Sequence, residues 1–259
     1  MDKKLWRVLA GLFALALLAA LTMPANAQMS VKEKPAMYSY VANWSIPRAQ
    51  WGEMEKSAVA DQKILDQAVG NGTLVAYGGD ENLVHRQDGE THDQWWSAMS
   101  LAGLLKVLDQ FYTSGSATSP VLASATRHWD SIYVSRYYNW TPGAVKGGYT
   151  SVSAYSLKAD APDDAVDTLS KNLVAPLLEK MLADGTIREY EVDTQAVHTE
   201  APGQFVIVYV SPNAEGLDKV NAAISETLKS NPLDGPAFIS MVDFSQHRDE
   251  LLRTNAMFK

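Results

Sequence analysis

The chain has 259 residues, no cysteine and a formal net charge of −8. Without cysteine there are no disulfides and no thiolate metal ligands, so the core must hold by packing. The acidic balance argues against nucleic acid or anionic lipid as the main partner.

The first 27 residues read as a signal peptide. Lys3, Lys4 and Arg7 form a basic start, Val8 to Met23 is apolar, and Ala25-Asn26-Ala27 is a small-residue cleavage site. Export to the periplasm or secretion is the expectation. Loss of residues 1–27 removes three basic groups and Asp2, taking the net charge from −8 to −10. No later apolar run is long enough for a membrane span.

Met37 to Ile46 alternates Tyr38, Tyr40, Ala42 and Trp44 with Ser39, Val41, Asn43 and Ser45, a strand pattern that Pro47 ends. Ala49 to Val69 is a helix with Trp51, Met54, Ala58, Leu65 and Ala68 on one stripe, stopped by Gly70-Asn71-Gly72. Thr73 to Arg86 reads as a long strand with a bulge at Gly78-Gly79, and Thr91 to Ser100 as the next strand. Leu101 to Tyr112 is a helix and Val121 to Ala125 a short strand.

The same order returns. Tyr149 to Leu157 is a strand, and Asp163 to Ala183 a helix that Pro176 should kink. Ile187 to Thr199 and Gln204 to Val210 are strands, Leu217 to Leu228 a helix, and Phe238 to Phe244 the last strand. The repeat is visible in the residues themselves. Gly72-Thr73…Tyr77…Val84-His85 matches Gly185-Thr186…Tyr190…Val197-His198 at an offset of 113, and His128-x-Asp130 matches His247-x-Asp249 at 119. An insertion of six residues near Ser230 to Gly235 accounts for the change.

Two β-α-β-β-α-β units follow, residues 28–140 and 141–259. Each sheet has helices on one face, so the two can cover each other's free faces and close a barrel. This order resembles the dimeric α+β barrel (ferredoxin-like) superfamily. The expected fold is therefore α+β, with two tandem ferredoxin-like units forming an intramolecular pseudo-dimeric barrel, as a monomer or a homo-oligomer. The resemblance implies a range of activities: cofactor-independent monooxygenases, haem-degrading enzymes, dehydratases and small-molecule binders. The haem-degrading branch implies an Asn on the first strand, a Trp on the third and an axial His on the second helix. Asn43 and Trp95 or Trp96 match the first two, but neither Leu101–Tyr112 nor Leu217–Leu228 contains a His.

The candidate sites follow from repetition and asymmetry. His85 and His198 recur at strand ends, where each can satisfy a turn or serve as a general base at a barrel mouth. The His-x-Asp pairs read as first-turn helix residues after Thr126 and Ser245, or as part of a site. Beyond the leader, every Trp (Trp44, Trp51, Trp95, Trp96, Trp129, Trp140) lies in or just after the first copy. Leu157 stands opposite Trp44, and Val208 and Tyr209 opposite Trp95 and Trp96. The expected ligand pocket therefore gathers Asn43, Trp44, Tyr77, Trp95, Trp96 and Tyr190 around a small apolar or aromatic ligand. With no phosphate-binding loop, no dinucleotide motif and no nucleophile elbow, the sequence implies no cofactor and no metal.

Overall fold

The computed structural model describes residues 31–86, 89–199, 203–230 and 234–259. The leader and its cleavage site lie outside the described residues. In chain order the elements are β1 (Met37–Ser45), α1 (Trp51–Gly70), β2 (Ala76–Asn82), β3 (His92–Ala98), α2 (Leu101–Ser114), α3 (Pro120–Ala123) and β4 (Arg127–Trp140). Then come β5 (Gly143–Leu157), α4 (Ala165–Leu169), α5 (Ala175–Ala183), β6 (Glu189–Gln195), β7 (Gln204–Ser211), α6 (Ala214–Ser230), α7 (Asp234–Met241) and β8 (Val242–Phe258).

All eight strands form one closed antiparallel barrel in the order β1-β3-β2-β8-β5-β7-β6-β4. The first four strands lie side by side as β4-β1-β3-β2, and the last four repeat that order as β8-β5-β7-β6. β2 with β8 and β4 with β6 join the halves, so neither leaves an open edge. The helices pack outside, over two hydrophobic layers. Leu65, Trp96, Leu104, Val107 and Phe111 anchor one, and Leu178, Ile187, Tyr190, Phe205 and Val220 the other. Each such fully buried side chain contributes roughly 1.5–3 kcal/mol.

Several sequence expectations are corrected. Val121 to Ala125 is not a strand. Pro120 opens a short helix there, its missing N–H harmless at the first position. The fourth strand starts at Arg127 and runs for 14 residues. Phe238 belongs to α7, and the last strand runs from Val242 to Phe258. Both His-x-Asp pairs thus lie in strands and cap no helix. The strands β2 and β6 are shorter than read, seven residues each.

Gly78-Gly79 makes no bulge, since β2 keeps continuous register with β3 and β8. Gly78 is needed for another reason: a Cβ there would lie 2.5 Å from the Trp95 indole, which lies across it. The kink expected at Pro176 appears as a π-helical turn, Ser170–Val174, between α4 and α5. The proline offers no N–H to the previous turn, and a wider turn absorbs the loss.

The offset of 113 does not hold on the first strands. Tyr40 faces Trp96 on β3, whereas Ser151 faces Tyr209, the residue matching Trp96, on β7. The strands β1 and β5 therefore correspond at 111, a slip of two residues that keeps every side chain on its face. Trp44 is matched by Tyr155, not Leu157, and the aromatic asymmetry shrinks.

Candidate functional site

Alternation along the strands separates the residues expected to share one pocket. On β1, Tyr40, Ala42 and Trp44 point out under the helices, while Ser39, Val41 and Asn43 point into the barrel. On β3, Trp96 points out and Trp95 points in. Adjacent strand residues occupy opposite faces, so Asn43 with Trp95 and Trp44 with Trp96 line two different cavities.

Tyr77 and Tyr190 line neither of these two cavities. Each is buried beneath a helix and donates its hydroxyl to a helical carboxylate: Tyr77 to Asp66 (2.5 Å) and Tyr190 to Glu179 (2.8 Å). Burial, then the Asp66 bond, pushes the Tyr77 phenol up to about 12. These pairs tie strand to helix one repeat apart and explain why both tyrosines recur. His85 and His198 are exposed in the connections after β2 and β6 and line neither cavity. Neither of these two cavities reaches the residues expected to act as general bases.

The outer cavity, about 260 Å³, lies between the first-half sheet and α2 and α3. Tyr40, Trp44, Trp96, Phe111 and Tyr112 give it an aromatic lining, and Ala42, Ala117 and Ala123 leave the space. Tyr40 stacks on Trp96 with centroids 4.5 Å apart. His128 and Asp130 stand at the rim, brought there by their place on β4 opposite Trp44 and Ala42. The His128 ring stacks on Trp44 (5.2 Å, 10°). Its Nδ1 lies 3.0 Å from the Asn43 carbonyl and its Nε2 3.4 Å from Asp130 Oδ2. A carbonyl only accepts, so Nδ1 carries the proton and Nε2 is the atom free to exchange one, beside a carboxylate that stabilises an imidazolium. Burial and the Asp130 carboxylate hold the Tyr40 phenol well above the usual range. Deeper in, Asp61 accepts a hydrogen bond from Ser116, and burial raises its carboxyl pKa.

The inner cavity, about 210 Å³, is inside the barrel. Its lining overturns the expectation of an apolar barrel pocket. On β6, Tyr190 and Val192 pack outward, and Glu189, Glu191 and Asp193 point inward. Asp80 and Asp93 join them from β2 and β3, and Glu90 and Glu250 stand with Arg86 and Arg248. Asp80 accepts from Trp95 Nε1 (3.1 Å) and Thr150 Oγ1 (3.4 Å), and Glu191 from Ser39 Oγ (3.2 Å). Burial pushes Asp80 up to about 6, Glu191 to about 7 and Glu250 to about 8. Burial, then like charge, holds Asp93, Glu189 and Asp193 well above the carboxylate range. Sequence reasoning read Ile187 to Thr199 only as a strand of the repeat and assigned no role to its acidic residues. The signal was Glu189-Tyr-Glu-Val-Asp-Thr-Gln195, in which acidic residues alternate with the residues that pack under helices.

No family model matches the sequence, and no curated protein matches it. Solved structures do. A candidate monooxygenase from Lactobacillus acidophilus superposes with a TM-score of 0.62 at 12% identity, covering 85% of this chain and 94% of that one. The fold is that of the dimeric α+β barrels. A candidate monooxygenase from Fusobacterium nucleatum gives 0.57 at 5% identity, over 87% and 95% of the two chains. An anthrone oxidase-like protein gives 0.51 at 10%, over 86% and 92%. Identities this low show the fold alone.

Proposed function

We propose that the outer pocket of the first half binds a one- or two-ring phenol or its keto tautomer, and that His128, backed by Asp130, takes a proton from it in a cofactor-independent monooxygenation. One observation carries this reading: of the two cavities described, the aromatic one is lined by a histidine, His128. The volume is at the small end for ligand sites, which favours one or two rings. The names of the solved relatives are in keeping with the reaction class.

In this reading His128 Nε2 removes a proton from a ring CH₂ beside the carbonyl, and Asp130 stabilises the imidazolium formed. The carbanion attacks dioxygen. The O–O bond then cleaves with loss of water, leaving a new carbonyl. One oxygen atom enters the product and the other leaves as water, so no external reductant is consumed. The aromatic walls orient the ring and exclude water. A second reading, binding without turnover, is favoured by His247 and Asp249, which repeat the geometry and line neither of the two cavities.

Oxygen uptake with a panel of such phenols separates the two. His128→Gln is expected to lower kcat by roughly 10²–10⁴-fold with KM little changed. Unchanged kcat in that variant contradicts the base assignment. Binding without uptake in the wild type leaves the binding reading.

We also read the chain as an exported protein of two tandem ferredoxin-like units, residues 28–140 and 141–259. The repeated strand order supports the units, and the residues of the leader support export.

A further inference from the structure

We propose that the barrel interior is a second binding site, on the opposite face of the sheet from the outer pocket, for a small aliphatic diamine held between Glu189 and Asp193. The proposal does not rest on the reaction assigned to the outer pocket. Its first observation is a set of unmet acceptors. Asp93 Oδ1, Glu189 Oε1 and Asp193 Oδ1 are buried in side chains more than nine-tenths covered, accept no hydrogen bond, and belong to residues lining the cavity. A buried acceptor left without a donor is destabilising. Three in one cavity are an arrangement that a bound donor would complete.

The second observation is where the cations are. Of the residues lining the cavity, Arg86 and Arg248 alone are basic. The Arg86 guanidinium is already engaged, 3.6 Å from Glu90 and 3.4 Å from Glu250. No basic side chain that lines the cavity comes from β6, the strand that carries Glu189, Glu191 and Asp193.

Spacing selects the ligand. Glu189 and Asp193 are four residues apart on one strand, about 13 Å along its axis at 3.3 Å per residue. An extended four-carbon diamine places its nitrogens roughly 6 Å apart, and a hydrogen bond of about 3 Å at each end fills the remainder. Val152, Val206, Val208 and Val210 supply an apolar wall for the methylenes. A metal ion needs ligands converging on one point, and among the described residues no three His, Cys, Asp or Glu side chains do so.

Binding should release protons. The titratable groups facing the site are Asp80 and Asp93 from β2 and β3, the β6 trio, Glu250 and Arg248 from β8, Arg86 and Glu90 from the β2–β3 connection, and Tyr133 from β4. Burial keeps protons on Asp93, Glu189 and Asp193, and a diammonium ion displaces them.

Titration calorimetry of the full chain with putrescine, in buffers of different ionisation heat, tests this. One molecule should bind per chain, with proton release and higher affinity at pH 8 than at pH 6. Glu189→Gln should weaken binding roughly 10- to 100-fold, and Asp93→Asn should weaken it as well. Both variants replace a carboxyl that burial keeps protonated with a neutral amide of the same shape, so both should fold. Magnesium and calcium ions at the same concentrations should give no saturable heat. Absence of putrescine binding, unchanged affinity in Glu189→Gln, binding without proton release, or displacement by either metal ion would overturn the proposal.

Discussion

His128 on β4 and His247 on β8 make the same contacts in the two halves, and the surroundings differ. Each donates Nδ1–H to a backbone carbonyl, that of Asn43 or Ala154, and each holds Nε2 near the Asp two residues on, at 3.4 and 3.1 Å. Each ring stacks on an aromatic residue of the neighbouring strand, Trp44 or Tyr155. In the second half Phe238 and Phe244 set their edges against Tyr155, and Ser153 donates to Asp249 at 2.6 Å. In the first half Ala42, Ala117 and Ala123 leave a cavity instead. The hydrogen-bonded pair is therefore a device that the fold uses twice, and the space beside it is what sets one copy apart.

The inner face differs in a complementary way. In the first half Gly78 pairs with Trp95, and the indole fills the space. In the second half Glu191 pairs with Val208, and the space belongs to a carboxylate. The largest expected effect breaks this comparison directly. Gly78→Leu drives a side chain into the indole and should cost about 3 kcal/mol in urea unfolding. Adding Trp95→Val, which copies the second half, should recover most of it. If the double variant were no better than the single, the indole would not be the reason for the glycine.

A smaller effect sharpens the same contrast through pH. A carboxyl whose pKa rises on folding keeps its proton in the native state while the unfolded chain releases it. Stability then falls as pH climbs from about 4, the unfolded value, through the folded one. The folded values are about 6 for Asp80, about 7 for Glu191 and about 8 for Glu250. Glu90 runs the other way: burial raises it, but its bonds to Glu250 and Arg86 outweigh that. Glu90 titrates below that window, so the net expectation is a loss of several kcal/mol between pH 5 and pH 8.5. Thermal unfolding across that range should show a falling Tm, flattened more by Glu191→Gln in the second half than by Asp80→Asn in the first. A Tm that rises with pH contradicts the burial argument.

How much of this was legible in the residues depends on which face of the sheet is asked about. The elements whose outer faces are apolar, β1, α1, α2, β5 and β7, follow from simple periodicity, and the repeat marked out the two halves. The long strands β4 and β8 were not legible. Arg127 to Trp140 and Val242 to Phe258 carry charged or polar residues toward the barrel and toward solvent, so neither face gives a clean apolar alternation. The pocket was misassembled for a related reason. Asn43 beside Trp44, and Trp95 beside Trp96, look like clusters in a line of text, yet the pleat sends neighbours to opposite faces. His128 and Asp130 were noticed as a pair, but only their place in a strand opposite Trp44 and Ala42 gives them a cavity.

The most direct test of the central claim, that the space beside His128 is the functional site, is an equilibrium titration with a naphthol-type phenol followed by tryptophan fluorescence. Ala123 lines the pocket from an exposed helical position, so Ala123→Phe adds a ring there without disturbing the core. Wild-type protein and Glu189→Gln should bind alike, and Ala123→Phe should bind at least roughly tenfold more weakly, about 1.4 kcal/mol. Equal binding by Ala123→Phe and wild type would contradict the account.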